Sequence, residues 1–283
     1  MSNKAKIRED AMKLNPIDDA LFVKMAEDMA FCQEMLQTFL SDKALVVLEA
    51  APQYVVKNLQ GRSCILDLKC QIGSKQIVNV EVQKSDDDDH QKRVRYNVSV
   101  LTANIVDPGE KFRDVPEVIS VFISRFDVFK LGRAVYHVER VIKETGDVVE
   151  NGIREVYINA ENYDASDIAD LMRLFVEDEV YDDERFPVSS QRKRRFKTTE
   201  EGVSEMCEII ERNRAEAYAE GEARGEARGE ARGEARGMAC GMARGMLTTL
   251  INLVKKNRIT VEEAAGDANM TVTAFRAEMA AFI

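Results

Sequence analysis

The chain has 283 residues, 45% of them hydrophobic and 32% charged, enough apolar material for one large domain with an appendage or two small domains. Its net charge of −10 excludes gripping nucleic acid through overall charge, though not through a local basic groove, because exposed charges are screened beyond about 10 Å at ordinary salt. Two histidines and five cysteines without a C-x-x-C pair exclude a zinc motif, and no run of about 18 apolar residues offers a membrane span.

The opening MSNKAKIREDAMKL lacks a long apolar core and reads as no signal peptide. Cys32, Cys64, Cys70, Cys207 and Cys240 are odd in number, so reduced thiols in a cytoplasmic protein are expected. Residues 16–50 carry helical spacing. Leu21, Phe22, Met25 and Met29, then Met35, Leu36, Phe39 and Leu40, fall at three- and four-residue intervals. Two helices are predicted, with Asp18 or Asp19 as N-cap.

Residues 63–70 and 76–83 alternate and are rich in Ile, Leu and Val, which predicts two strands joined by a hairpin loop at Gly73–Lys75. A helix follows over 89–106. Strands are predicted over 117–129, 134–142 and 153–160, then a helix over 165–179 capped by Ser166. This order predicts a mixed α/β domain with a central sheet over residues 1–200.

A three-residue turn centred on Ser74 sets Asp67 opposite Glu81, and side chains alternate along each strand. One face then gathers Asp67, Glu81 and Gln83, with Lys69 beside them. Two carboxylates this close repel and tend to share a proton, unless a divalent cation such as magnesium or manganese sits between them. On spacing alone the first reading of these residues is an ordinary polar sheet face.

The residues carry more than their spacing. Asp67 followed by Glu81-Val82-Gln83 resembles the active-site pattern of the PD-(D/E)xK nuclease superfamily. KRVRYNVSVL (92–101) is similar to the helix after that motif in the branch of Rpn-type recombination-promoting nucleases and putative transposases. DDALFVKMAED (18–28), PEVISVFISRFDVF (116–129), EVYINA (155–160) and the Glu/Gly-rich repeat near the end are similar to the same branch, in the same order. The resemblance spans roughly residues 15–245. It implies a restriction-endonuclease-like fold, with a central mixed sheet flanked by helices, and metal-dependent hydrolysis of DNA linked to recombination or transposition. Asp67 and Glu81 would be metal ligands for Mg²⁺ or Mn²⁺, with the Val82 carbonyl a third. Gln83 stands where the superfamily has Lys, so it can position water or phosphate but adds no charge. Leu66 replaces the superfamily's proline. Arg93, Arg95 and Tyr96 would contact DNA phosphates, and Asp19 and Lys69 are auxiliary candidates.

DDDDH (86–90) reads as a solvated loop or helix start, where negative charge suits the helix dipole. QRKRRFK (191–197) is the one dense basic patch. Arg192, Lys193, Arg194 and Arg195 either grip phosphate or pair with the acidic VEDEVYDDE just before them. Residues 201–246 carry a Gly-Glu-Ala-Arg repeat with helical stripes of each residue type. It reads as a self-associating helical stalk making a homo-oligomer, or as a flexible, partly helical linker. Residues 247–283 read as a small helical module with Thr N-caps. It has the outline of a helix-turn-helix, but with Arg276 as the only cation after Arg258 a docking or capping role fits better than DNA reading. Two other functions stay open: a degenerate nuclease fold serving as an oligomeric binding or assembly protein, and a regulator that reads DNA through the tail.

Overall fold

The computed structural model describes residues 3–58 and 61–282, and the chain divides into two compact units, Met1–Arg212 and Asn213–Ile283. In chain order the elements are α1 (Asn3–Met12), α2 (Asp19–Ala26), α3 (Met29–Phe39), β1 (Val47–Val56), β2 (Cys64–Ile72), β3 (Gln76–Gln83) and α4 (His90–Asn104). Then come β4 (Glu117–Ser124), β5 (Val135–Val138), β6 (Ile153–Asn159), α5 (Asp167–Val176), α6 (Pro187–Thr198), α7 (Glu200–Lys255), α8 (Val261–Asp267) and α9 (Val272–Ala281).

The first unit is built on a six-stranded mixed sheet ordered β1-β2-β3-β4-β6-β5. β1, β2 and β3 run antiparallel in succession, β3, β4 and β6 are parallel, and β5 closes one edge antiparallel to β6. The predicted hairpin forms in the predicted register: Leu68 faces Val80 and Ile72 faces Gln76 around Gly73–Lys75. Gly73 takes φ +55°, a left-handed value that glycine adopts without cost.

Alternation along the strands supplies two cores. Val78, Val80, Val82, Ile119, Val121 and Ile123 meet Phe22, Phe31, Met35, Phe175 and Phe196 from the helices of one layer. Ile77, Val118, Phe122 and Tyr157 meet Val94, Val98 and Leu101 of α4 on the other side. This is the mixed sheet flanked by helices that the sequence predicts.

Several elements differ from expectation. β4 stops at Ser124 rather than 129, because Asp127 gathers the Phe129, Lys130 and Gly132 N–H groups and the Tyr136 hydroxyl into a loop. The strand expected over 134–142 is confined to β5, followed by an isolated bridge between Val141 and Val148. α1 and α6 appear where no element is predicted, and β1 begins at Val47, so residues 47–50 are strand where the spacing of 16–50 predicts helix.

In the second unit the caps are as predicted. Thr260 closes a capping box with Glu263, and Thr271 accepts the Ala274 N–H. Leu250, Ile251, Ala264, Ala265 and Phe275 form its small core. Among the described residues no helix is long and apolar enough to cross a membrane.

Candidate active site

The sheet splits at the two carboxylates. The β2–β3 ladder ends at Leu68 and Val80, yet β2 continues along β1 to Cys64 and β3 continues along β4 to Gln83. The β1–β2 ladder also skips the pair Gln53–Asp67, where Gln53 takes φ +50°. Positive φ at a side-chain-bearing residue is strained and collects at functional positions. Asp67 therefore sits at an interruption in both of its ladders.

In the split, Asp67 Oδ2 accepts the Val82 N–H at 2.8 Å. Within an extended strand the N–H and C=O of one residue point to the same side. The Val82 carbonyl is therefore directed toward β2, the side on which Asp67 lies. Glu81 is 1% exposed and is held from α4 by two side chains one helical turn apart. Asn97 donates to Oε1 at 3.0 Å and Arg93 donates to Oε2 at 3.2 Å. Arg93 also donates to Gln83 Oε1 at 2.9 Å, so one guanidinium joins Glu81 to Gln83. Asp89 fixes the start of α4 by accepting the Lys92 N–H, as the helix-start reading of the acidic run expects.

Burial raises the Asp67 carboxyl well above the usual carboxylate range, and the negative charges of Glu81 and Asp19 add to the effect. Burial also raises Glu81, against the opposing pull of Arg93 and Asn97, and raises Asp19, which Arg93 again opposes. Asp67 and Glu81 share the cause, burial close to one guanidinium, whereas Asp19 lies at the exposed edge of the group.

Asp19, in the first turn of α2, accepts from Gln53 Nε2 at 3.5 Å. Its neighbour Asp18 is the N-cap residue and pairs with Lys84 at 2.5 Å. Lys69 lies elsewhere, its ammonium 4.5 Å from the Tyr54 ring centre. Arg95 is exposed on α4, and the Tyr96 hydroxyl is tied to the Arg62 carbonyl and to Asn58.

The α6 cations are not brought to this site. Lys193 is fully buried and donates to the Leu174, Glu177 and Val180 carbonyls, closing the end of α5. Arg194 grips Asp183 with two hydrogen bonds. Arg195 pairs with Glu205, and Arg192 donates to the Lys24 carbonyl. These contacts include pairing with the acidic stretch before the helix. Asn97 is the site residue that sequence reading misses, although its i+4 spacing from Arg93 is a usable signal.

The donor set is all oxygen: two buried carboxylates, a carbonyl directed toward one of them, and Asp19 nearby. Among the described residues no three His, Cys, Asp or Glu side chains form a metal-ligating group. Two carboxylates are the number with which Mg²⁺ is commonly held, because it keeps several of its waters. Burial raises both carboxyls, and the charge of Glu81 adds to the effect on Asp67; a divalent cation offsets both causes, so the residues fit such an ion.

The family model of the PD-(D/E)XK nuclease family transposase matches residues 20–181, which contain Asp67, Glu81, Val82, Gln83, Arg93 and Asn97. No curated protein and no solved structure matches the chain.

Proposed function

The chain belongs to the PD-(D/E)XK nuclease family transposases, and from that premise we propose that it is a metal-dependent DNA endonuclease acting in recombination or transposition. One observation carries the reading: Asp67 and Glu81 are buried together where β2 and β3 part, with the Val82 carbonyl directed to the same place. Asp67, Glu81 and the Val82 carbonyl would hold Mg²⁺ or Mn²⁺. A bound ion there would polarise the phosphodiester and lower the pKa of a water.

The chain's own residues prepare the reaction. The Val82 N–H fixes one oxygen of Asp67 and leaves Oδ1 for another partner. Asn97 holds the orientation of Glu81. Arg93, whose side chain is 37% exposed, can turn its guanidinium to a DNA phosphate while keeping Gln83 placed. Gln83 orients the attacking water or the phosphate by hydrogen bonds, and Arg95 adds positive charge on the exposed face of α4.

A second reading, a nuclease fold kept for binding and assembly, is favoured by one contact. Arg93 already supplies a positive charge to Glu81 and engages Gln83, the position at which the superfamily has Lys. Purified protein incubated with supercoiled plasmid and Mg²⁺ or Mn²⁺, beside Asp67→Ala and Glu81→Ala, separates the two. Nicking by the parent protein alone supports the endonuclease. DNA binding without cleavage in either metal supports the binding protein.

Two further parts of the reading are separate from the chemistry. Five free cysteines suit a reducing, cytoplasmic setting. The repeat helix, exposed along residues 211–246, suits self-association into a homo-oligomer.

A further inference from the structure

A cleft of about 730 Å³ opens beside the candidate active site, between the start of β2 and the first two turns of α4. Arg93 and Asn97, the two side chains that hold Glu81, form part of its wall, so cleft and site are continuous. The volume lies within the range of about 300–1,000 Å³ typical of sites that enclose small organic molecules. A duplex, whose two grooves alone measure about 6 and 12 Å across, cannot be enclosed in it.

The walls differ in chemistry. Ile65, 54% exposed, belongs to the lining on the part of β2 beyond the split. The half-buried Tyr96 ring lines the cleft as well, already fixed through its hydroxyl to the Arg62 carbonyl and to Asn58. A ring fixed in advance loses little freedom when something stacks on it. Arg62 brings positive charge to the lining and Asp88 a carboxylate, while Lys92 and Asp89 are paired with each other at 2.6 Å. Carboxylates repel a phosphate chain running through the cleft but accept hydrogen bonds from the amino groups of a base edge.

We propose that this cleft receives an unstacked nucleobase next to the scissile phosphate. The preferred substrate is then DNA with unpaired nucleotides, as in bulges, frayed ends or single strands, rather than uniform duplex. The inference rests on the nuclease reading and names the substrate class of that same site. Stacking a base on an aromatic side chain strengthens binding by roughly five- to 150-fold, and every base offers a face for it, so no sequence preference is required.

The test is binding of the full chain to labelled DNA in EDTA, where no cleavage intervenes. A fully paired duplex, the same duplex with a bulge, and a single strand are compared. The bulged duplex is expected to bind at least about tenfold more tightly than the paired one. Tyr96→Ala and Ile65→Asp are each expected to abolish that preference, and Ile65→Asp to do so while leaving affinity for the paired duplex unchanged. Ile65 is exposed, so its variant folds even if loss of the Tyr96 ties unsettles the other. Equal affinity for bulged and paired DNA, or a preference that survives Ile65→Asp, overturns the inference. If the paired duplex is cleaved with Mg²⁺ and the bulge confers no advantage, the inference falls while the nuclease reading stands. If no form of DNA binds, both fall.

Discussion

The Asp67 carboxylate takes the Val82 N–H at 2.8 Å, replacing the strand partner that Val82 loses where β2 and β3 part. One residue thus closes a gap in the sheet and supplies charge to the site. Asp67→Asn separates the two roles, because an amide oxygen accepts the same N–H without a charge. The variant is expected to fold with a melting temperature equal to or above the parent's. Plasmid nicking is expected to fall by at least about 100-fold. A folded Asn variant that nicks normally would remove Asp67 from the metal site.

The pH dependence of stability follows from the same pair. Asp67 and Glu81 have ordinary values of 3.8 and 4.5, and both are raised in the folded protein, chiefly by burial. Between the ordinary and the folded value, the folded state binds more protons than the unfolded one. Stability is therefore greatest below the ordinary value and is lost as pH rises toward the folded one. In EDTA the melting temperature should fall as pH rises above about 4, with a shallower fall in Asp67→Asn. Mg²⁺ should raise the melting temperature more at neutral than at acid pH, because the ion competes with the protons. A melting temperature that climbs through the same range in both proteins would show that the pair is not the controlling group.

Asn97 is buried and donates to Glu81, so in the proposed reaction it would serve as a positioning residue. Asn97→Ala leaves one oxygen of a buried carboxylate without its donor. Loss of such a supporting contact typically lowers activity by about 10–100-fold. The loss should appear in kcat with KM for DNA little changed, and Asn97→Gln should recover part of it. A change in KM alone would place Asn97 in DNA binding instead.

The hairpin was legible because its signal is local: alternation fixes the faces, and a three-residue turn fixes the register. β1 was not, because it is an edge strand carrying Pro52, with Leu48, Glu49, Gln53 and Val55 exposed, so its alternation is broken. α1 buries little besides Ile7 and Ala11, too few for a helical stripe. α6 was hidden by its charge. Lys193 and Lys197 lie inside the fold because backbone carbonyls accept hydrogen bonds from their ammonium groups, a satisfaction that residue type alone does not reveal. The neighbourhood of Asp67, Glu81 and Gln83 follows from the hairpin register, which the pattern already fixes. The clamp by Arg93 and Asn97 depends on how α4 lies across β3, a tertiary relationship with only helical spacing as its trace.

Gly202 marks the crossing of α6 and α7. A Cβ there would collide with the Arg195 carbonyl and approach the Phe196 Cα to 2.9 Å, and backbone cannot step aside as a side chain can. Gly202→Ala is expected to destabilise the first unit by roughly 1–3 kcal/mol, although alanine is the better helix former. Chemical denaturation measures this. A stabilised variant would mean that the two helices are not in contact at this point.

The glycines of the repeat obey a different logic. A Cβ at any of Gly221, Gly225, Gly229, Gly233, Gly237, Gly241 or Gly245 would meet nothing within 4 Å in one chain. Each glycine costs an isolated helix about 1 kcal/mol relative to alanine. Within a single chain, then, Gly229→Leu combined with Gly233→Leu should strengthen the helix. Between two chains a glycine stripe permits close approach, and leucine would hold the backbones apart. In a parallel pair the Glu flank of one helix faces the Arg flank of the other; in an antiparallel pair like charges face each other. The expectation is therefore that the double variant keeps or gains helicity in circular dichroism and sediments as a smaller species than the parent chain. Identical masses for the two proteins would remove the glycine stripe from any self-association.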